Sequence, residues 1–191
     1  MRYALDMDSH QQLEEKTVST QRLHEGRIIH LREDTVTLPS GRTAKREIVE
    51  HKGAVCIVPI KEDGKLIFVR QFRKPAEAAL LELPAGGLEI GEEPMECAQR
   101  ELMEECGLRA QKMTPLFECF LAPGYSTELM FGFLGENLVE DQAEPDQDEN
   151  ILIEEYSLNE ALALLDSGEI RDAKTICGIL AYYRKQQSAA L

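Results

Sequence analysis

The chain of 191 residues has no tryptophan, and its Phe and Tyr together number only eleven, so an aromatic stacking platform has few residues to be built from. Its five cysteines (Cys56, Cys97, Cys106, Cys119, Cys177) form no C-x-x-C pair and are odd in number. They read as small buried hydrophobes of a reducing cytoplasm, not as a disulfide framework or a zinc site. No run approaches the roughly 18–20 apolar residues of a membrane span, and the opening MRYALDMDSHQQLEEK lacks the basic start and apolar core of a signal peptide. Basic residues are missing altogether from 113 to 170, a stretch with fourteen Asp or Glu that accounts for the whole net charge of -14. The remainder is neutral and no basic face clusters within it, which excludes duplex binding. A local acidic excess attracts cations, and the question is whether it is organised to hold them.

What is present is the composition of one ordinary globular domain, 43% hydrophobic and 29% charged. Residues 1–16 are polar and read as a frayed terminus. From 17 to 50 the pattern is strand-like, with Ile29 and Leu31 on one face and Pro39-Ser40-Gly41 as a turn. Residues 51–191 then form the main domain. The run 54–60 is continuously apolar, as in a strand buried on both faces. Asp63-Gly64 is a hairpin turn into the strand of Leu66–Val69. Further strands are predicted near 115–122, 128–135 and 151–153. Three helices follow from their punctuation: Pro94 to Cys106, closed by Gly107; one after the Ser157-x-x-Glu160 capping box; and a last one capped by Asp172, with Ile176, Ile179, Leu180 and Tyr183 on one face. Strands interleaved with helices predict an α/β fold, a mixed sheet sandwiched between helices, with a β-rich N-terminal arm.

The chemistry is concentrated in the helix of 94–106. Met95, Ala98, Leu102 and Cys106 share its apolar side, and Glu101, Glu104 and Glu105 share the other at spacings i, i+3 and i+4. Like charges there repel by about 0.2–0.5 kcal/mol per pair, and they stand at the end of the helix whose dipole disfavours anions. A divalent cation reverses both penalties, since hard oxygen ligands suit Mg²⁺, Mn²⁺ or Ca²⁺. The alternative is a solvated acidic face, and the spacing decides between them. From Gly86 to Leu108 the chain reads G-x5-E-x7-R-E-L-x-E-E-x-G-L; a chance match to so many fixed positions is on the order of one in a million per chain.

That order resembles the Nudix box, and the sequence is similar to the Nudix hydrolases, which cleave nucleoside diphosphates linked to another group. The resemblance implies that Glu101, Glu104 and Glu105 supply metal-binding oxygens, joined by the carbonyl of Ala85. It implies that Arg100 orients a box glutamate, Glu92, through its guanidinium fork, and that Gly86 and Gly107 shape the loop and end the helix. Two or three Mg²⁺ ions, or Mn²⁺, would bridge the pyrophosphate and help make a water nucleophilic; Glu104, Glu105 and Arg100 are thereby catalytic candidates.

The flanks narrow the substrate. Pro123-Gly124-Tyr125, sixteen residues beyond Gly107, resembles the mark of the ADP-ribose pyrophosphatase group, although Ala122 stands where that group usually has serine. Residues 46–51, 69–73, 81–86 and 168–175 resemble the same subfamily, so the likeness spans roughly 17 to 185. It implies that Arg46 and Arg73 meet phosphate, that Glu82 hydrogen-bonds a ribose, and that Tyr125 borders the sugar. The general base of the subfamily often lies on a loop after the box. Here the loop is 140–149, with Glu149 the first candidate and Glu144, Asp146 and Asp148 its rivals. The reading is a cytoplasmic Mg²⁺-dependent hydrolase of ADP-ribose, giving AMP and ribose 5-phosphate, with a nucleoside diphosphate sugar as its partner and neither nucleic acid nor membrane. Thr127-Glu128 keeps a second nucleoside diphosphate sugar, such as GDP-mannose, in view, and a sensing module that does not cleave is a remote third. Relatives of this kind commonly pair through their N-terminal strands, so a homodimer is expected.

Overall fold

In the computed structural model, residues 12–141 and 150–189 are described, and among them run ten strands and three α-helices. The strands are β1 (Lys16–Glu25), β2 (His30–Thr37), β3 (Thr43–Glu50), β4 (Ala54–Pro59), β5 (Leu66–Arg73), β6 (Ala78–Glu82), β7 (Ala85–Gly87), β8 (Leu108–Phe120), β9 (Leu129–Glu140) and β10 (Leu152–Tyr156). The helices are α1 (Pro94–Cys106), α2 (Leu158–Asp166) and α3 (Ala173–Ala189). The chain divides into two units, the first containing β1–β3 with residues 122–128, the second the rest.

The first unit is an antiparallel sheet in the order β1-β2-β3. It buries little: every residue of β1 is exposed, and only Asp34 and Val36 of β2 are fully covered. What holds the strands besides their ladder is a set of cross-strand polar pairs. Lys45 meets Glu33 at 2.6 Å, Arg32 meets Glu50 at 2.7 Å, and Thr20 donates to Asp34 at 2.8 Å. Ile29 falls in the turn between β1 and β2, about half exposed, so it does not share a strand face with Leu31 as the alternation suggested. Residues 122–128 join β3: Val49 N–H donates to Tyr125 O at 2.8 Å, and Thr127 N–H to Val49 O at 3.0 Å.

The second unit is organised by the parity of β4. This strand is parallel to β9 and antiparallel to β7, in the sheet β7-β4-β9-β8. All six of its residues are buried, as the continuous apolar run predicts. Successive side chains point to opposite faces, and each face has its own core. Ala54, Cys56 and Val58 join Leu66, Phe68, Leu81, Leu83, Ile179 and Tyr182, against α2 and α3. Val55 and Ile57 join Ile67, Val69, Ala98, Leu102 and Phe133, against α1. Strand β5 follows the same parity within the sheet β10-β5-β6. Each fully buried Leu, Ile or Phe stabilises the fold by about 1.5–3 kcal/mol.

Two helix faces are rotated from their wheel readings. In α1, Met95 is exposed and Cys97 is buried in its place, because the helix also covers β7, where the Cys97 thiol approaches Gly87 O at 3.5 Å. In α3, Ile179 and Tyr182 are buried whereas Leu180 and Tyr183 stand out. The cause is Gly178: a Cβ there would lie 2.5 Å from Leu83 Cδ1, so its lack lets the helix backbone touch the strand segment beside the box. Strand β8 starts directly after α1 and is longer than predicted, while β6 and β7 were hidden in short segments rich in Ala and Gly. The Ser157–Glu160 capping box forms as expected.

Candidate active site

The box helix begins at Pro94 in its first turn and ends at Gly107, whose φ of 64° is left-handed. Ahead of it the loop folds back on itself, Glu89 N–H donating to Glu92 Oε2 at 2.9 Å. One side chain wires loop and helix together. Arg100 grips Glu92 as a fork, Nε to Oε1 at 2.9 Å and Nη2 to Oε2 at 3.1 Å. Its Nη1 donates to Glu101 at 2.7 Å and to Glu104 at 2.8 Å, and Nη2 reaches Gly87 O at 3.2 Å. The arginine offsets part of the repulsion along the helix. It also holds the Glu92 carboxyl down to about 2, chiefly through its hydrogen bonds and against the smaller opposing effect of burial.

Glycine at 86 is a spatial requirement. A Cβ there would stand 1.9 Å from the carboxylate carbon of Glu101, so the absent side chain is what lets that carboxylate lie against the loop backbone. Glu105, 8% exposed, is the buried member, its Oε2 accepting from Ala85 N–H at 3.0 Å. Box helix and β7 thus meet where Ala85 and Glu105 touch. Three carboxylates, Glu92, Glu101 and Glu104, meet a single guanidinium, and Glu105 stands on the same helix against Ala85. Among the described residues no three acidic, His or Cys side chains already converge as a metal cage; Glu92, Glu101 and Glu104 turn toward Arg100. Donor chemistry nevertheless fits a hard divalent cation, because the carboxylate oxygens outnumber the one guanidinium beside them.

A second charged group lies on the other side of Ala85. Arg73 forks onto Glu82, Nε to Oε1 at 2.9 Å and Nη2 to Oε2 at 2.8 Å. Lys174, from the start of α3, also pairs with Glu82 Oε2, and with Asp172 at 2.9 Å. Asp172 caps α3 by accepting from Thr175 N–H at 3.0 Å, and the Thr175 hydroxyl accepts from Leu83 N–H at 2.8 Å. Glu82 is 1% exposed. Burial alone would raise its pKa, but the hydrogen bond from Arg73 and the charge of Lys174 outweigh this and lower it. Burial likewise works against the Lys174 ammonium, and the two carboxylates win, raising its pKa.

The structure therefore brings Ala85, Gly86, Glu92, Arg100, Glu101, Glu104 and Glu105 together, with Arg73 and Glu82 forming the neighbouring group. Glu82, expected to meet a ribose, instead has both oxygens engaged and is closed to solvent. Arg46, Pro123, Gly124, Tyr125 and Glu128 belong to the first unit. There Arg46 forks onto Glu15 at 2.6 and 2.9 Å, Tyr125 is exposed after the turn at Pro123-Gly124, and Glu128 is half-buried. Glu149, with Glu144, Asp146 and Asp148, lies outside the described residues. Lys174 and Thr175 had been given no role; the one trace of their partner is a glutamate, Glu82, set between two core leucines.

Fold, box and carboxylate helix converge on one class of protein. Residues 50–178 match the NUDIX domain, and residues 15–49 match the Nucleoside diphosphate sugar hydrolase N-terminal domain. The chain belongs to the NUDIX domain family, whose hydrolases generally depend on divalent metal. It is 44% identical to an ADP-ribose pyrophosphatase of Bacillus subtilis over 87% of this chain and 91% of the relative. A methanol dehydrogenase activator of Bacillus methanolicus is 40% identical, with 87% and 91% covered. A GDP-mannose pyrophosphatase of Yersinia pestis is 34% identical, with 69% and 71% covered. Among solved structures, that of an ADP compounds hydrolase superposes with a TM-score of 0.83 at 23% identity, covering 93% of this chain and 97% of that one, which speaks to the fold. No helix among the described residues is long and apolar enough to cross a membrane.

Proposed function

We propose that the chain hydrolyses the pyrophosphate bond of ADP-ribose, giving AMP and ribose 5-phosphate by attack of water on phosphorus. The observation that carries the reading is the clamp of α1 onto β7: three glutamates at i, i+3 and i+4, ordered by Arg100 and Gly86, beside the Ala85–Glu105 contact. The likeness to the Bacillus subtilis pyrophosphatase supports ADP-ribose as the substrate. In this reading Glu101, Glu104, Glu105 and the Ala85 carbonyl hold Mg²⁺, with Mn²⁺ as a substitute, in two or three ions. When bound, the metal neutralises phosphate charge and lowers the pKa of a water. Arg100 and Glu92 keep the loop and helix in register. Arg73 and Arg46 receive phosphate oxygens, Pro123, Gly124, Tyr125 and Glu128 border the sugar side, and Glu149 draws the proton from the attacking water. The five free cysteines accord with a reducing cytoplasm. Residues 17–50 form an arm that pairs with a second copy; the exposed Val18 and Leu23 on β1 are apolar surface suited to that contact. Residues 51–191 carry the chemistry.

GDP-mannose is the second reading, favoured by Thr127-Glu128 and by the Yersinia relative. A panel of nucleoside diphosphate sugars with Mg²⁺, read by phosphate release after phosphatase coupling, tests both. ADP-ribose should turn over fastest. Turnover no faster than that of GDP-mannose overturns the first reading, and unchanged substrate across the panel overturns both.

A further inference from the structure

Lys174 is 6% exposed and stands outside the box. Buried ammonium groups are rare unless paired, and this one is held between Glu82 and Asp172. Glu82 is the pivot: its Oε2 accepts from both Lys174 and Arg73 Nη2, and its Oε1 from Arg73 Nε. That fork leaves Nη1 of Arg73 directed away from Glu82. Anchor and cation differ in exposure, at 1% for the Glu82 side chain and 42% for that of Arg73. The arginine is thus a cation fixed from behind and open in front. The box is near, for the charge of Glu105 acts on Arg73 and helps to raise its pKa, after the Glu82 hydrogen bond and the opposing burial.

We propose that Lys174 is a positioning residue for substrate: through Glu82 it fixes Arg73 so that the open edge of the guanidinium meets the diphosphate of the substrate. The proposal rests on the hydrolase reading for the identity of that anion. Without Lys174, Glu82 Oε2 keeps Arg73 as its one cationic partner. The buried carboxylate then draws the guanidinium inward, and the open edge is misplaced. Asp172 orients Lys174 while capping α3, so the start of that helix sets where the arginine points. An ion cluster serving the fold alone would affect stability and leave affinity untouched.

The test uses the full chain and the best substrate of the panel. Lys174→Met should raise KM about tenfold with kcat within about twofold, since contacts equal in ground and transition state appear in KM. Lys174→Arg, which keeps charge and reach, should recover most of the loss. Ile179→Val, a core truncation on the same helix, should lower Tm with KM unchanged. If no substrate turns over, calorimetric binding of ADP-ribose in EDTA replaces KM, and a weaker Kd for Lys174→Met upholds the proposal while the hydrolase reading fails. The proposal is overturned if Lys174→Met or, where that variant does not fold, the charge-removing Lys174→Gln lowers Tm with KM and Kd at wild-type values, or if wild type binds none of these anions.

Discussion

Two arginines on either side of Ala85 show opposite uses of the same ion pair. Arg100 is one cation shared among Glu92, Glu101 and Glu104, with Glu105 close by on the same helix. Glu82 is one carboxylate shared between Arg73 and Lys174, with Asp172 completing a balanced set of two and two. The first group has more negative charge than its cation can satisfy, and its most exposed member, Glu104, is 36% open to water. Its geometry makes sense with a further cation. The second is neutral as a set, and with Glu82 and Lys174 buried it serves as a rigid backing from which Arg73 faces outward. Excess charge marks the place where chemistry is done, and balanced charge the place that holds it still.

The comparison is broken most severely at Glu105. Glu105→Gln keeps an oxygen for Ala85 N–H and removes a ligand charge, so kcat with Mg²⁺ should fall at least ~10³-fold while the fold persists. Steady-state rates beside a thermal melt check both halves. In the balanced group the rise in KM should be accompanied by a loss of stability. Lys174→Met strips a partner from a buried carboxylate, a change of about 3–5 kcal/mol that lowers Tm by roughly 10 °C, measurable by calorimetry. Acid separates the groups further. Glu92 is depressed from 4.5 to about 2, so its contribution is complete above pH 4.5 and is lost as pH falls toward about 2. Arg100→Met removes it, and the stability gap between wild type and variant, followed by urea unfolding, should close across that window. The smallest change is Asp172→Asn, which preserves the cap of α3 and unbalances the buried set by one charge, costing about 1 kcal/mol or less in denaturant unfolding.

The open group was legible in the sequence because its order is local: Gly86 to Leu108 is one loop and one helix, and i, i+3, i+4 spacing places three carboxylates without tertiary knowledge. The buried strand β4 was legible for a similar reason, a run with no polar residue. The balanced group was not, since Glu82 and Lys174 are 92 residues apart and pair only when α3 docks on the segment after β6. Burial of Glu105 was hidden as well; a helical wheel gives direction but not the depth at which β7 covers the helix end. Face errors at Met95 and at Leu180 and Tyr183 have the same root. Periodicity fixes the spacing of a buried stripe, while its angle is set by contacts such as Gly178 with Leu83. The acidic excess of 113–170, conspicuous in composition, holds none of the box glutamates.

One consequence follows from the parity of β4. The strand is a party wall: its odd-numbered residues furnish the room of the box helix, and its even-numbered residues the room of α3. Remodelling one room leaves the furniture of the other standing, so resistance to heat can be adjusted through Leu66 or Phe68 on the α3 side with Val55 and Ile57 untouched beneath the box. Six residues of extended chain separate what a lineage is free to retune from what its chemistry obliges it to keep.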